Sequence, residues 1–291
     1  MSVSLELLAL PAVEAIMMGC LSGVVGALAL VGRKVFLTES LTHATFPGAV
    51  SLVVVVTSLS RVLGSGRPGY EVVWTAALIG AVIMCVPMAA MTGWLTRQAG
   101  LSSQSSAGAV LAIGFALGYL LNTWFAPLPL KIDSFLTGSL LNVSHTDVVL
   151  TVLVLAMTLL VVLAGGRHLI FWCFDPVGYR AGGASSKAVE AVMLALICLT
   201  IGALVPAVGT ILPIALIAAP AASMLPWVRT PRALLLGSAV VGVLTCLGGL
   251  ALAVVMGLSV GGVIAVLAGV VYALSHGAST LRGAVGARAV A

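Results

Sequence analysis

The chain has 291 residues, of which 61% are hydrophobic and only 7% charged, whereas a soluble domain carries about 25% charged residues. It reads as an integral membrane protein, and no polar stretch is long enough to fold a soluble domain. The net charge of +5 reflects the distribution of Lys and Arg across a membrane and is no argument for nucleic-acid binding.

Apolar runs of about 20 residues, the length that crosses a bilayer, predict nine spans in an all-α polytopic fold. They cover 11–31, 36–60, 71–95, 105–124, 147–165, 188–206, 209–227, 234–256 and 261–276. The division between the sixth and seventh rests on Pro206, Gly209 and Pro213, which punctuate a long uncharged stretch. If 188–227 formed one tilted or re-entrant element, the count would be eight. The whole chain, 1–291, is then one transmembrane domain. The first basic residue, Arg33, follows the first apolar run, so no cleavable signal peptide is expected.

Orientation follows from Lys and Arg. With the N-terminus outside, Arg33, Lys34, Arg97, Arg167, Arg180, Lys187, Arg229, Arg232, Arg282 and Arg288 face the cytoplasm. Only Arg61, Arg67 and Lys131 lie outside. Nine spans leave the C-terminus inside.

The second span carries the most informative run, Gly32 to Gly48. Glu39 and His43 lie four residues apart, hence on one helix face, one turn apart. Ionisable groups inside a membrane span are costly and face a bundle interior or a hydrated cavity. Pro47-Gly48 follows one turn later, where a helix weakens or kinks. The competing reading pairs Glu39 with Arg33 or Lys34 near the membrane surface and leaves His43 as interhelical glue.

The outer segment 125–146 contains Lys131, Asp133, Ser139, His145 and Asp147. An exposed loop histidine beside an Asp helix cap explains His145 and Asp147 better than a docking role does. In the inner segment 171–187, Asp175-Pro176 is a helix start, Asp as cap and Pro at the first helical position. Gly182-Gly183 is a stop. A helix of about two turns outside the bilayer is expected between them, against the alternative of a plain surface turn. Further on, small residues around Pro220 permit close helix approach and a bend.

Five cysteines, at 20, 85, 173, 198 and 246, form no close pair in sequence, which excludes a zinc knuckle or a CxxC redox motif. They read as small hydrophobes. No phosphate-binding G-x-x-x-x-G-K-[ST] loop is present, so the chain is not its own ATPase. No Ser/His/Asp set or HExxH motif supports a membrane hydrolase.

Three of these stretches resemble the permeases of metal-uptake ABC transporters, the family serving manganese, zinc and iron. Arg33, Lys34, Glu39, His43, Pro47 and Gly48 occupy the places of its first signature, with Glu39 for the usual Asp. Phe174, Asp175, Pro176 and a downstream glycine match its Phe-Asp-Pro run, although Tyr179-Arg180 departs from the usual small residue. The stretch from Val208 to Ser223 is similar to its Leu-Ile-x-Pro-Ala-Ala segment. In the outer loop, Ser139 replaces a usual Asp.

The resemblance implies a permease of the type II importer kind, with Glu39 and His43 as transient metal ligands. It implies that Phe174, Asp175, Pro176, Arg180 and Gly182 belong to the element docking on the ATPase. Pro47, Gly48 and Pro220 become helix breaks at the gates. The implied partners are a second permease copy, cytoplasmic ATPase subunits and an extracytoplasmic metal-binding protein, in the cell membrane. The metal is cargo, with no permanently bound cofactor. Manganese is favoured, then zinc or iron, because no thiolate joins the carboxylate and imidazole. The alternative is an ATP-independent secondary carrier, for which inverted repeats would speak; none is visible.

Overall fold

The computed structural model describes residues 5–63, 68–98, 100–126, 138, 140–183, 185–210 and 212–288. Among these, ten α-helices follow in order: α1 Leu5–Val31, α2 Val35–Val62, α3 Tyr70–Thr96, α4 Ser103–Trp124, α5 His145–Phe174, α6 Pro176–Ala181, α7 Ser186–Val208, α8 Pro213–Met224, α9 Pro231–Met256 and α10 Val260–Arg288. A short 3-10 turn, Leu140–Asn142, precedes α5. Lys131, Asp133 and Ser139 lie outside the described residues.

Among the described residues, eight helices are long and apolar enough to cross a membrane. The seventh expected span, 209–227, is only the 12-residue α8, about 18 Å at 1.5 Å per residue. It nevertheless joins opposite ends of the bundle. At its near side, a Cβ on Gly138 would collide with Val208 and Gly209. At its far side, Leu225 and Val228 share a cavity wall with Arg33 and Phe174. Among the described residues, the backbone therefore passes from one face to the other on these eight helices and once more on the shortened α8. The break falls where proline and glycine direct it: Gly209 caps α7 with a φ of 76° and Pro213 opens α8.

The fifth helix runs well past the expected end at 165, to Phe174. Gly165-Gly166 does not end it, because the following turns bury Leu169, Trp172 and Cys173 and packing outweighs glycine's weak helix propensity. Its start is a capping box. Ser144 accepts from the Asp147 amide at 3.3 Å, and Asp147 accepts from the Ser144 amide at 3.0 Å. His145 is exposed beside it.

Close backbone approaches set the packing, as small residues allow in lipid. Gly19, Gly23 and Gly26 of α1 meet Gly242, Ser238 and Ile217, so that a Cβ at any of the three would strike a backbone carbonyl of α9 or α8. The sequence numbers run in opposite senses along α1 and α9, which makes the pair antiparallel. Helix α1 is the hub, touching α5, α7, α8 and α9.

Candidate functional site

Helix α2 holds Glu39 and His43 on one face, both half-buried. The other polar side chains of this stretch are turned back on their own helix. Thr42 donates to the Thr38 carbonyl at 2.8 Å, Thr45 to Thr42 at 2.6 Å, and Ser51 to Pro47 at 2.7 Å. Such back-bonding satisfies a buried hydroxyl locally. Glu39 and His43 are not satisfied in this way. The His43 ring meets Phe115 of α4 edge-on, with centroids 6.0 Å apart, and its Nδ1 is buried without a hydrogen-bond partner among the described residues. Glu39 acts on it electrostatically from the neighbouring turn.

The pairing of Glu39 with a nearby base is overturned. Lys34 instead reaches Glu190 of α7 at 3.3 Å, the one ion pair among the described residues. It also lies 5.9 Å from the centre of the Trp172 ring. Glu39 makes no ion pair among the described residues. Among the described residues, no group of three or more His, Cys, Asp or Glu is positioned to hold a metal.

Neither proline ends its helix. Helix α2 runs continuously through Pro47, and α8 through Pro220. Pro47 has no N–H to offer the His43 carbonyl. Gly48 acts in packing: a Cβ there would fall on the carbonyl of Gly80 in α3.

The short helix expected between Asp175 and Gly182 is present as α6. Asp175 caps it, accepting from the Gly178 amide at 2.8 Å, with Pro176 at its first position and Gly182 at its end. Gly183 follows with a φ of 79°. Tyr179 anchors the helix. It is buried, lies edge-on to Phe171 at 5.5 Å, and its hydroxyl is 3.4 Å from His168 Nδ1. Phe174, Val177 and Arg180 are exposed, so the anchored element presents an apolar and basic face.

Sequence reading passed over two features. Glu14 of α1 is fully buried, accepts from Thr151 Oγ1 at 2.7 Å, and leaves Oε2 without a partner among the described residues. Asp147, itself reached by Trp74 Nε1 at 3.4 Å, acts on it electrostatically. An acid within an apolar run was a visible signal, the same one that marks Glu39. The second feature was invisible in sequence: packing brings Cys85 of α3 and Cys198 of α7, both buried, near enough to influence one another. Cys85 also lies 3.9 Å from the Leu41 carbonyl, on the buried side of α2.

The comparisons agree with this architecture. The chain is 25% identical to the manganese transport system membrane protein MntC of Halalkalibacterium halodurans, over 81% of this chain and 75% of that one. It is 28% identical to the zinc transport system membrane protein TroC of Treponema pallidum, over 80% and 75%. The structure of PsaBC from Streptococcus pneumoniae in complex with Fab superposes with a TM-score of 0.77 at 22% identity, covering 94% of this chain and 91% of that one. That likeness speaks for the fold. A profile of the ABC 3 transport family matches residues 4–278, nearly the whole chain, and the chain therefore belongs to the ABC 3 transport family.

Proposed function

We propose that the chain is the membrane-spanning permease of an ATP-driven importer that carries a divalent metal ion into the cytoplasm, manganese first, then zinc or iron. One observation carries the reading. Inside a membrane span, among the described residues, Glu39 has no basic partner and His43 has a buried, unpartnered ring nitrogen, on the same face of one helix. A carboxylate and an imidazole left open together suit such a cation. The relatives named for manganese and zinc transport support the cargo class.

A metal of this class takes more ligands than two. A second copy of the chain, facing the first across a shared path, would double the pair to two carboxylates and two imidazoles. An extracytoplasmic metal-binding protein would deliver the ion on the side of the 125–146 segment. On the opposite side, α6 would dock on a separate ATPase subunit through Phe174, Val177 and Arg180, held by Asp175, Pro176 and Gly182. Closure of the ATPase would then move the helix ends that join α6 to α5 and α7. Weak two-ligand contact per copy suits transit, since a tightly held ion would not leave.

The test is radiolabelled metal uptake into proteoliposomes holding the permease and its ATPase, run for manganese, zinc and iron, with and without ATP. ATP-dependent accumulation that Glu39→Gln abolishes is the expected result. Accumulation without ATP would favour a secondary carrier.

A further inference from the structure

A cavity of about 650 Å³ opens where the α1–α2 turn, the start of α6 and the α8–α9 connection meet. Its size lies within the ordinary range of small-ligand sites. Arg33 and Arg229 line it, with Thr230 beside them and Leu30, Leu225 and Phe174 among its apolar walls. No aspartate or glutamate is in the lining among the described residues. Two acids on the adjoining helices are engaged elsewhere, Asp175 on the Gly178 amide and Glu190 on Lys34. Neither arginine makes an ion pair among the described residues.

Arg33 occupies a position that the backbone would rather give to glycine. It is the one non-glycine residue with a positive φ, 55°, among the described residues. The Arg33 amide donates to Leu30 at 3.1 Å and the Lys34 amide to Ala29 at 2.8 Å. That is the left-handed helix-ending motif in which glycine is the usual residue. An arginine held there at a conformational cost points to a use for its side chain. Helix α9 begins at the same cavity, with Thr230 capping it, and its free first-turn amides favour an anion.

We propose that this cavity binds the phosphate headgroup of an anionic membrane phospholipid. Arg33 and Arg229 would hold the phosphate, and the apolar walls would hold the glycerol and the first acyl carbons. Basic pockets between membrane helices take anionic headgroups in this way, and apolar walls set such a site apart from one for a free anion. The site is independent of which cargo the chain carries. Because Phe174 and Pro176 form part of the wall, a bound lipid would brace the base of α6.

The test uses the full chain purified from mixed bilayers of phosphatidylglycerol and phosphatidylcholine, with retained lipid read by native mass spectrometry. The wild type is expected to keep phosphatidylglycerol in preference, and Arg33→Gln with Arg229→Gln to lose about tenfold or more of it, as two basic contacts to an anionic headgroup predict. Arg33→Gly alone controls for folding: it suits the left-handed backbone, so its thermal midpoint should hold or rise while lipid retention falls. Equal retention in wild type and double variant overturns the proposal. So does displacement of the lipid by excess inorganic phosphate, which marks a small-anion site. Loss of the ATPase from the double variant at unchanged lipid retention also overturns it, and assigns the cavity to an acidic surface of that subunit.

Discussion

Gly48 of α2 and Gly80 of α3 face each other so closely that a Cβ on either would collide with the carbonyl of the other. This contact lies just over one turn beyond His43, so it holds the helix that carries the candidate ligands. Replacing Gly80 with alanine forces the helices apart, and overpacking of this kind costs about 1–3 kcal/mol. The thermal midpoint and membrane abundance of Gly80→Ala should fall. Gly93, on the same helix, is the control, because a Cβ added there would meet nothing within 4 Å. Alanine at that position should be neutral or stabilising by up to about 1 kcal/mol.

Glu39 and His43 act through chemistry, not packing, if the functional reading holds. Glu39→Gln and His43→Ala should each reduce metal uptake severely at unchanged membrane abundance. Glu39→Asp should keep much of the activity, because the charge remains. Interhelical polar contacts in membranes contribute only about 0.6–2 kcal/mol, so a purely structural role would show as a partial loss of protein. Uptake and abundance must be measured on the same preparations. Uptake that falls only in proportion to abundance removes the ligand assignment.

Asp175 and Tyr179 fix α6 from two sides, one capping its first turn and the other burying its ring. Losing an N-cap costs about 0.5–2 kcal/mol, enough to disorder a helix of six residues. Asp175→Ala combined with Gly182→Pro should release the ATPase subunit or uncouple ATP hydrolysis from uptake, while the permease still reaches the membrane. Normal co-purification together with normal uptake would remove the docking role from α6.

Glu14 tests the cost of a buried polar pair. Glu14→Gln keeps an acceptor for Thr151 and brings no charge, so its abundance should match the wild type. Glu14→Ala strands the Thr151 hydroxyl and opens a void, and an unsatisfied buried group alone costs about 1–3 kcal/mol. Its thermal midpoint should fall clearly below that of the glutamine variant. Equal midpoints would mean that the Thr151 contact contributes nothing.

Composition and local chemistry determined much of this protein in advance. Long apolar runs must be helical in lipid, because a backbone without water satisfies its hydrogen bonds within the segment. The α6 helix was legible for a similar reason: an Asp-Pro start and a Gly-Gly stop are local devices whose energetics need no distant partner. The four-residue spacing of Glu39 and His43 placed them on one helix face before any fold was known. Tertiary structure alone decided what each polar group was left with. Lys34 could have neutralised Glu39, but packing brought Glu190 within its reach from a helix far along the chain. That contact frees Glu39. The same holds for Glu14 with Thr151 and for Cys85 with Cys198, pairs that only helix packing brings together. The shortened α8 is the plainest case. Hydropathy counts residues, whereas close contacts with α1 at Gly26 and with α10 let a 12-residue helix with its flanking turns connect opposite faces of the bundle. Local sequence sets what a segment can become; the partners that satisfy or strand its polar groups are set by which helices pack together.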